Sequence, residues 1–245
     1  MNLSRNVILI TGGGSGIGYE TAKLFASSGN QVIIVGRDIR KLHQAAASLP
    51  NVVAIPTDIT KESEVDTLVQ RIEKDFGKLN VLINNAGIAF KYDLLNDAQV
   101  NDHTREEMAV NYFGPVRLTD KLLPLLKAQP ESAIVNITSI LAISPLSILS
   151  TYSASKAALQ SYTKILRLLL GGSSVRVIEV LPPLTDTNLA KDIPGGKITP
   201  EEVAKAIVSA FVNNTPEVRV GFTETYYNLY LQSPQNAFNA MHGIK

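Results

Sequence analysis

The chain has 245 residues, 45% of them apolar and 18% charged, with 23 basic residues against 22 acidic ones and no cysteine. That length and apolar share fit one large α/β domain and exclude a disordered chain. The balanced charge leaves no footprint for nucleic acid or an anionic membrane, and the missing thiols exclude disulfides, a cysteine nucleophile and Cys-ligated metal.

In chain order, residues 1–5 lead into only four consecutive apolar residues, Val7 to Ile10, before Thr11. That is too short for a signal peptide, and no run approaches the ~18 residues of a membrane helix, so the expectation is a cytoplasmic protein. Short Val- and Ile-rich runs predict strands over 7–11, 31–35, 52–55, 81–84, 133–138 and 175–180. Amphipathic stretches between them predict helices over 17–28, 39–49, 62–76, around 106–127, and 152–170. Asp58-Ile59-Thr60-Lys61 supplies capping chemistry before the third helix. This alternation predicts a doubly wound, mostly parallel α/β sheet of Rossmann type. Thr199-Pro200 opens a further helix, and 217–221 could form a last strand. The tail at about 222–245 carries Tyr226, Tyr227, Tyr230 and Phe238, with Pro234 breaking it. It could pack on the core or a second subunit, cover a substrate, or lie on a membrane surface; the near-neutral charge disfavours the last. His43, His103 and His242 form no ligand pair, so no metal is expected.

The first strand ends in Thr11-Gly12-Gly13-Gly14-Ser15-Gly16-Ile17-Gly18 and runs into a helical pattern. Strand, glycine turn and helix are the context of a dinucleotide site: glycines admit the pyrophosphate, and the helix N-terminus offers free N–H groups. A plain tight turn is the alternative. After the second strand, Gly36 stands where an acid would bind a ribose 2′-hydroxyl, and Arg37 follows. A guanidinium suits a 2′-phosphate, which favours NADP(H) with NAD(H) as the alternative. Otherwise Arg37 is a solvated loop charge and Asp38 a helix cap. Asp58 is placed for adenine, or caps a helix.

Tyr152-Ser153-Ala154-Ser155-Lys156 sets a tyrosine and a lysine four apart on one helical face, where the ammonium would lower the phenol pKa. The spacing alone is common, and Tyr19 and Lys23 repeat it as a surface pair. The difference is context: Ser139 ends the fifth strand shortly before Tyr152, at the sheet edge where ligands bind.

Taken together and in order, TGGGSGIG at 11–18, Asp58, NNAG at 84–87, Asn111 in VNYFG, Ser139 and YSASK at 152–156 resemble the short-chain dehydrogenase/reductase family over roughly residues 5–190. The resemblance implies hydride transfer between NADP(H) and a small carbonyl or secondary-alcohol substrate. Tyr152 would be the general acid or base, Lys156 would tune it and hold the nicotinamide ribose, Ser139 would hold the substrate oxygen, and Asn111 a relay water. It implies cofactor contacts at Gly12, Ser15, Gly16, Ile17, Gly18, Arg37, Asp58, Ile59, Asn85, Ala86, Gly87, Tyr152, Lys156, Pro182, Thr185 and Thr187, with Asn84 beginning the cofactor wall. It also implies a homo-oligomer, dimer or tetramer, through the helices near Tyr112 and Tyr152. Pro183 replaces a glycine usual in the family, which alters the substrate loop at about 184–197. Pro182 to Thr187 and the Val-Arg-Val-Gly at 218–221 with its aromatic ending resemble the bacterial subgroup named for D-alanylation of teichoic acids.

Overall fold

Successive residues of the central strands point into two different apolar layers, and this alternation builds the molecule. The structure, a computed structural model, describes residues 2–244. Its strands are β1 (Val7–Thr11), β2 (Gln31–Gly36), β3 (Val52–Pro56), β4 (Val81–Asn84), β5 (Ser132–Ile137), β6 (Val175–Leu181) and β7 (Glu217–Arg219). They form one parallel sheet in the order β3-β2-β1-β4-β5-β6-β7. The order reverses between β1 and β4, which opens a crevice at their C-terminal ends.

The helices are α1 (Gly16–Ser27), α2 (Ile39–Ala47), α3 (Glu62–Phe76), α4 (Val100–Met108), α5 (Gly114–Lys127), α6 (Ser150–Leu169), α7 (Pro200–Asn213), α8 (Thr223–Gln232) and α9 (Pro234–Met241). Ile8, Ile10, Ile34 and Val135 face one layer, where Phe25 of α1 meets Phe211 of α7 edge-on at 5.4 Å. Leu9, Ile33, Leu82 and Ile134 face the other, under Leu68, Leu118 and Leu166 of α3, α5 and α6. Burying a side chain of this size contributes about 1.5–3 kcal/mol, so a polar substitution in β1 or β4 would undo the sheet. No helix among the described residues is long and apolar enough to cross a membrane.

The local chemistry explains several helix starts and two departures from expectation. The Asp38 carboxylate accepts from the Arg40 and Lys41 amides, 3.1 Å each, and caps α2. Thr199 and Glu202 form a reciprocal capping box on α7. Residues 58–61 do not cap α3 through their side chains as expected: Asp58 instead bonds the amide and hydroxyl of Thr60, and the N-cap residue Lys61 has its ammonium on Glu64 and caps no helix amide. The helix expected around 106–127 begins earlier, at Val100, and a π-helical segment, Ala109–Phe113, separates α4 from α5. The last strand is short, and Pro234 starts α9 after Ser233, whose hydroxyl caps it.

Candidate active site

Strand ends from across the sequence converge on the C-terminal edge of the sheet. Thr11 closes β1, and its hydroxyl accepts from the amides of Asn85 and Ala86, 2.9 Å each, just past β4. The Asn85 side chain donates to the Thr11 carbonyl at 2.8 Å. The glycine turn is therefore stitched to the β4 exit, and the stitch leaves no room for side chains. A Cβ on Gly18 would lie 2.4 Å from the Gly12 carbonyl oxygen and 2.5 Å from Asn85 Nδ2. Gly12 has φ +67°, a conformation that favours glycine. The N-cap residue Ser15 makes no side-chain bond to α1, so the first amides of the helix keep their donors free. A glycine cradle beside an uncapped helix start fits a dinucleotide pyrophosphate.

The expected adenine-side residues divide. Arg37 is exposed beyond β2 and forms no ion pair among the described residues. Asp58 is half-buried; burial opposes its ionisation, but the Thr60 bonds and the Arg37 charge outweigh it and hold its carboxyl below the usual range. Ile59 turns its side chain into the core, its Cδ1 where a Cβ on Gly114 would be 2.7 Å away, and its carbonyl accepts from Arg117 at 2.8 Å. Asn84, expected at the head of the cofactor wall, is buried and donates to Asn136 Oδ1 at 2.8 Å, within the sheet. On the opposite lip, Pro182 is buried and its carbonyl holds the Ile140 amide at 3.0 Å. Thr185 is also buried, with its hydroxyl on the Pro183 carbonyl at 2.9 Å. Thr187 reaches the glycine turn, its methyl 3.1 Å from where a Gly16 Cβ would stand. Pro183 leaves the loop ordered: Leu184 and Asp186 exchange backbone bonds with Ile198 at 3.0 and 2.9 Å.

The structure brings Ser139, Tyr152, Lys156 and Asn111 together. Lys156 is buried, donates to the Ile137 carbonyl at 2.8 Å, and stands 5.7 Å from the centre of the Tyr152 ring. Burial lowers its pKa to about 8. The Tyr152 phenol moves opposite to the sequence expectation. Although half-buried by area, it is crowded enough that burial pushes it up to about 12; the nearby Ser139 hydroxyl works the other way, and the Glu107 charge adds to the rise. Asn111 sits in the π-helical segment, a common place for functional groups. Its amide accepts from Ile88 N–H and donates to the Ile88 carbonyl and the Ser155 hydroxyl, all at 2.9 Å. Here it clamps the β4 exit loop to α6. Tyr19 and Lys23, expected as a surface pair, do not pair with each other: Tyr19 bonds Ser48, and Lys23 bonds Glu20.

Sequence reasoning missed Glu107. This carboxylate is fully buried; it accepts from Phe90 N–H at 2.8 Å and from the Thr151 hydroxyl, next to Tyr152. Burial raises its pKa, while those two bonds and His103 oppose the rise. Its signal was spacing: Glu107 stands four residues before Asn111, hence on the inward face.

The tail also comes to the site. Tyr226 of α8 and Met241 of α9 pack on the apolar cluster that contains Tyr152. Ser144 donates to the Ala237 carbonyl at 3.2 Å, and the Ser147 amide to His242 Nε2 at 3.1 Å.

Residues 6–197 match the family model described as short chain dehydrogenase. The chain is 41% identical over 189 residues to an uncharacterized oxidoreductase, DltE, of Bacillus subtilis, covering 77% of this chain and 75% of that one. A short chain dehydrogenase of Burkholderia cenocepacia solved with NADP superposes with a TM-score of 0.87 at 31% identity, over 98% of each chain. A 3-ketoacyl-(acyl-carrier-protein) reductase of Brucella melitensis solved with NADH gives 0.82 at 31% identity, over 89% of this chain and 97% of that one.

Proposed function

The chain belongs to the short-chain dehydrogenase family and is an oxidoreductase, and from that premise we propose that it interconverts a carbonyl and a secondary alcohol using NADP(H), with Tyr152 as the proton-transfer group. The observation that carries this is the convergence of Ser139, Tyr152 and Lys156 on the sheet edge that also holds the glycine turn. When bound, the nicotinamide supplies or accepts the hydride. The residues suited to hold it are the 12–18 turn, Asn85 to Gly87 and Thr187, with Lys156 toward the ribose.

Tyr152 donates its phenolic proton to the carbonyl oxygen during reduction. A phenol with a pKa of about 12 is neutral at pH 7, the form a general acid needs. Ser139 hydrogen-bonds the same oxygen and orients it. Lys156 presents a positive charge that favours the phenolate left behind. In oxidation the same residues run in reverse. Arg37 supports NADP(H): its guanidinium is uncommitted, the neighbouring Asp38 carboxylate is engaged by α2, and Gly36 brings no acid. A homo-oligomer belongs to the same proposal, supported by the exposed Phe113 and the exposed Ile165, Leu168 and Leu169 stripe of α6.

The test is steady-state reduction of a ketone panel by wild type and Tyr152→Phe. Loss of turnover by at least about 10²-fold with cofactor affinity kept is the expected result. Unchanged kcat would remove Tyr152 from the reaction.

A further inference from the structure

We propose that the substrate is an uncharged ketone, or its secondary alcohol, whose groups flanking the reacting carbon are hydrocarbon; this rests on the carbonyl-reductase reading above. Tyr152 packs against an apolar cluster drawn from four separate segments: Ala89 after β4, Leu141 after β5, Leu184 and Ile193 after β6, and Tyr226 and Met241 from the tail. The phenol that would meet the carbonyl therefore belongs to a side chain seated on apolar neighbours.

Several polar side chains of these segments are already committed to the protein. The Ser144 hydroxyl is on the Ala237 carbonyl, the Ser153 hydroxyl on the Leu149 carbonyl at 2.8 Å, and the Thr185 hydroxyl on the Pro183 carbonyl. His242 uses both ring nitrogens, one toward the Phe238 carbonyl and one accepting from Ser147 N–H. Glu107 has both oxygens engaged. Lys156 donates to the Ile137 carbonyl, and Lys91, exposed, to the Asp192 carbonyl at 3.2 Å. Ser139 and Tyr152 are left to recognise one oxygen. A second polar group on the substrate would be stripped of water with few protein partners left to replace it. Hydrocarbon entering the same space gains the full value of burial.

Two tail residues make the selection testable. Met241 of α9 and Tyr226 of α8 pack against this cluster, so their size bears on how much hydrocarbon fits. The experiment uses the purified enzyme with saturating NADPH and 2-alkanones of increasing length, alongside the same chains ending in a carboxylate or hydroxyl. Expected is a rise in kcat/KM of about fourfold per buried methylene, and a drop of more than about tenfold for each polar-ended analogue. Met241→Ala should move the best chain length upward without changing cofactor affinity; the wild-type series decides the matter if that variant does not fold. Reduction without dependence on length, or equal turnover of the carboxylate series, overturns the substrate class and leaves the reductase reading intact. Cofactor binding with no carbonyl reduced overturns both.

Discussion

Replacing Lys156 by methionine tests the reasoning about the site through protein stability. Lys156 is 3% exposed, and burial takes its pKa from 10.5 to about 8. The unfolded chain keeps this proton until about pH 10.5, while the native protein releases it near pH 8. Between those values the unfolded state binds more protons, so stability rises with pH. The whole gap is worth about 3 kcal/mol, most of it realised between pH 7 and pH 10. Tyr152 acts oppositely and later: its folded pKa of about 12 lies above the ordinary 10, so it erodes stability only above pH 10. Urea unfolding of wild type and Lys156→Met at pH 7, 8, 9 and 10 isolates the lysine, because every other group is common to both. The wild type should gain roughly 2 to 3 kcal/mol on the variant across that range. Parallel curves, within about 0.5 kcal/mol, would refute the claim that Lys156 carries a buried, strained charge.

Three other expectations follow from the geometry. Arg37→Ala should weaken NADPH by about tenfold, ~1.4 kcal/mol, and NADH far less in fluorescence titrations; equal losses would release Arg37 from 2′-phosphate recognition. Gly18→Ala forces a Cβ to 2.4 Å from the Gly12 carbonyl oxygen; the overpacking should cost about 1–3 kcal/mol, lower Tm by several degrees and weaken either dinucleotide. Glu107→Gln should flatten one limb of the pH–stability curve. The native carboxyl keeps its proton to higher pH than the unfolded one, so wild type loses stability as pH rises above 4.5, and thermal melts at pH 5 and 7 should show that loss shrinking in the variant.

The sheet was readable because buried parallel strands are apolar on both faces, and β1, β4 and β5 are so nearly without polar residues that their runs stand out. The chemistry was readable where side chain and spacing meet at a strand end, as at Ser139 and Tyr152. Lost to the sequence were features set by tertiary surroundings. Asp58 has the composition of a helix cap, yet Thr60 takes its carboxylate. Thr185 and Ile59 lie in the right segments but turn inward, since a motif fixes a backbone position and not a side-chain direction. The Tyr152 pKa ran against the two-residue argument because desolvation, invisible in spacing, exceeds the influence of a lysine whose ammonium is held by Ile137. Glu107 looked like one more charge in Arg105-Glu106-Glu107, and only its burial separates it from exposed Glu106.

The docking of α8 and α9 on the Tyr152 cluster has a practical side. The glycine turn, Ser139 and the catalytic pair are all translated before Tyr226 and Met241, so a chain cut near Ser233 would keep the reacting groups while losing part of their apolar cover. Such a product would present Leu141, Ile193 and their neighbours to water, the kind of surface that recruits other molecules and precipitates. Fusion partners face the same geometry. An extension past residue 244 emerges beside the anchor between His242 and Ser147, whereas one before Leu3 emerges near Asn30, at the opposite edge of the parallel sheet. A tag at the amino end starts away from the Tyr152 cluster; a tag at the carboxyl end starts beside it.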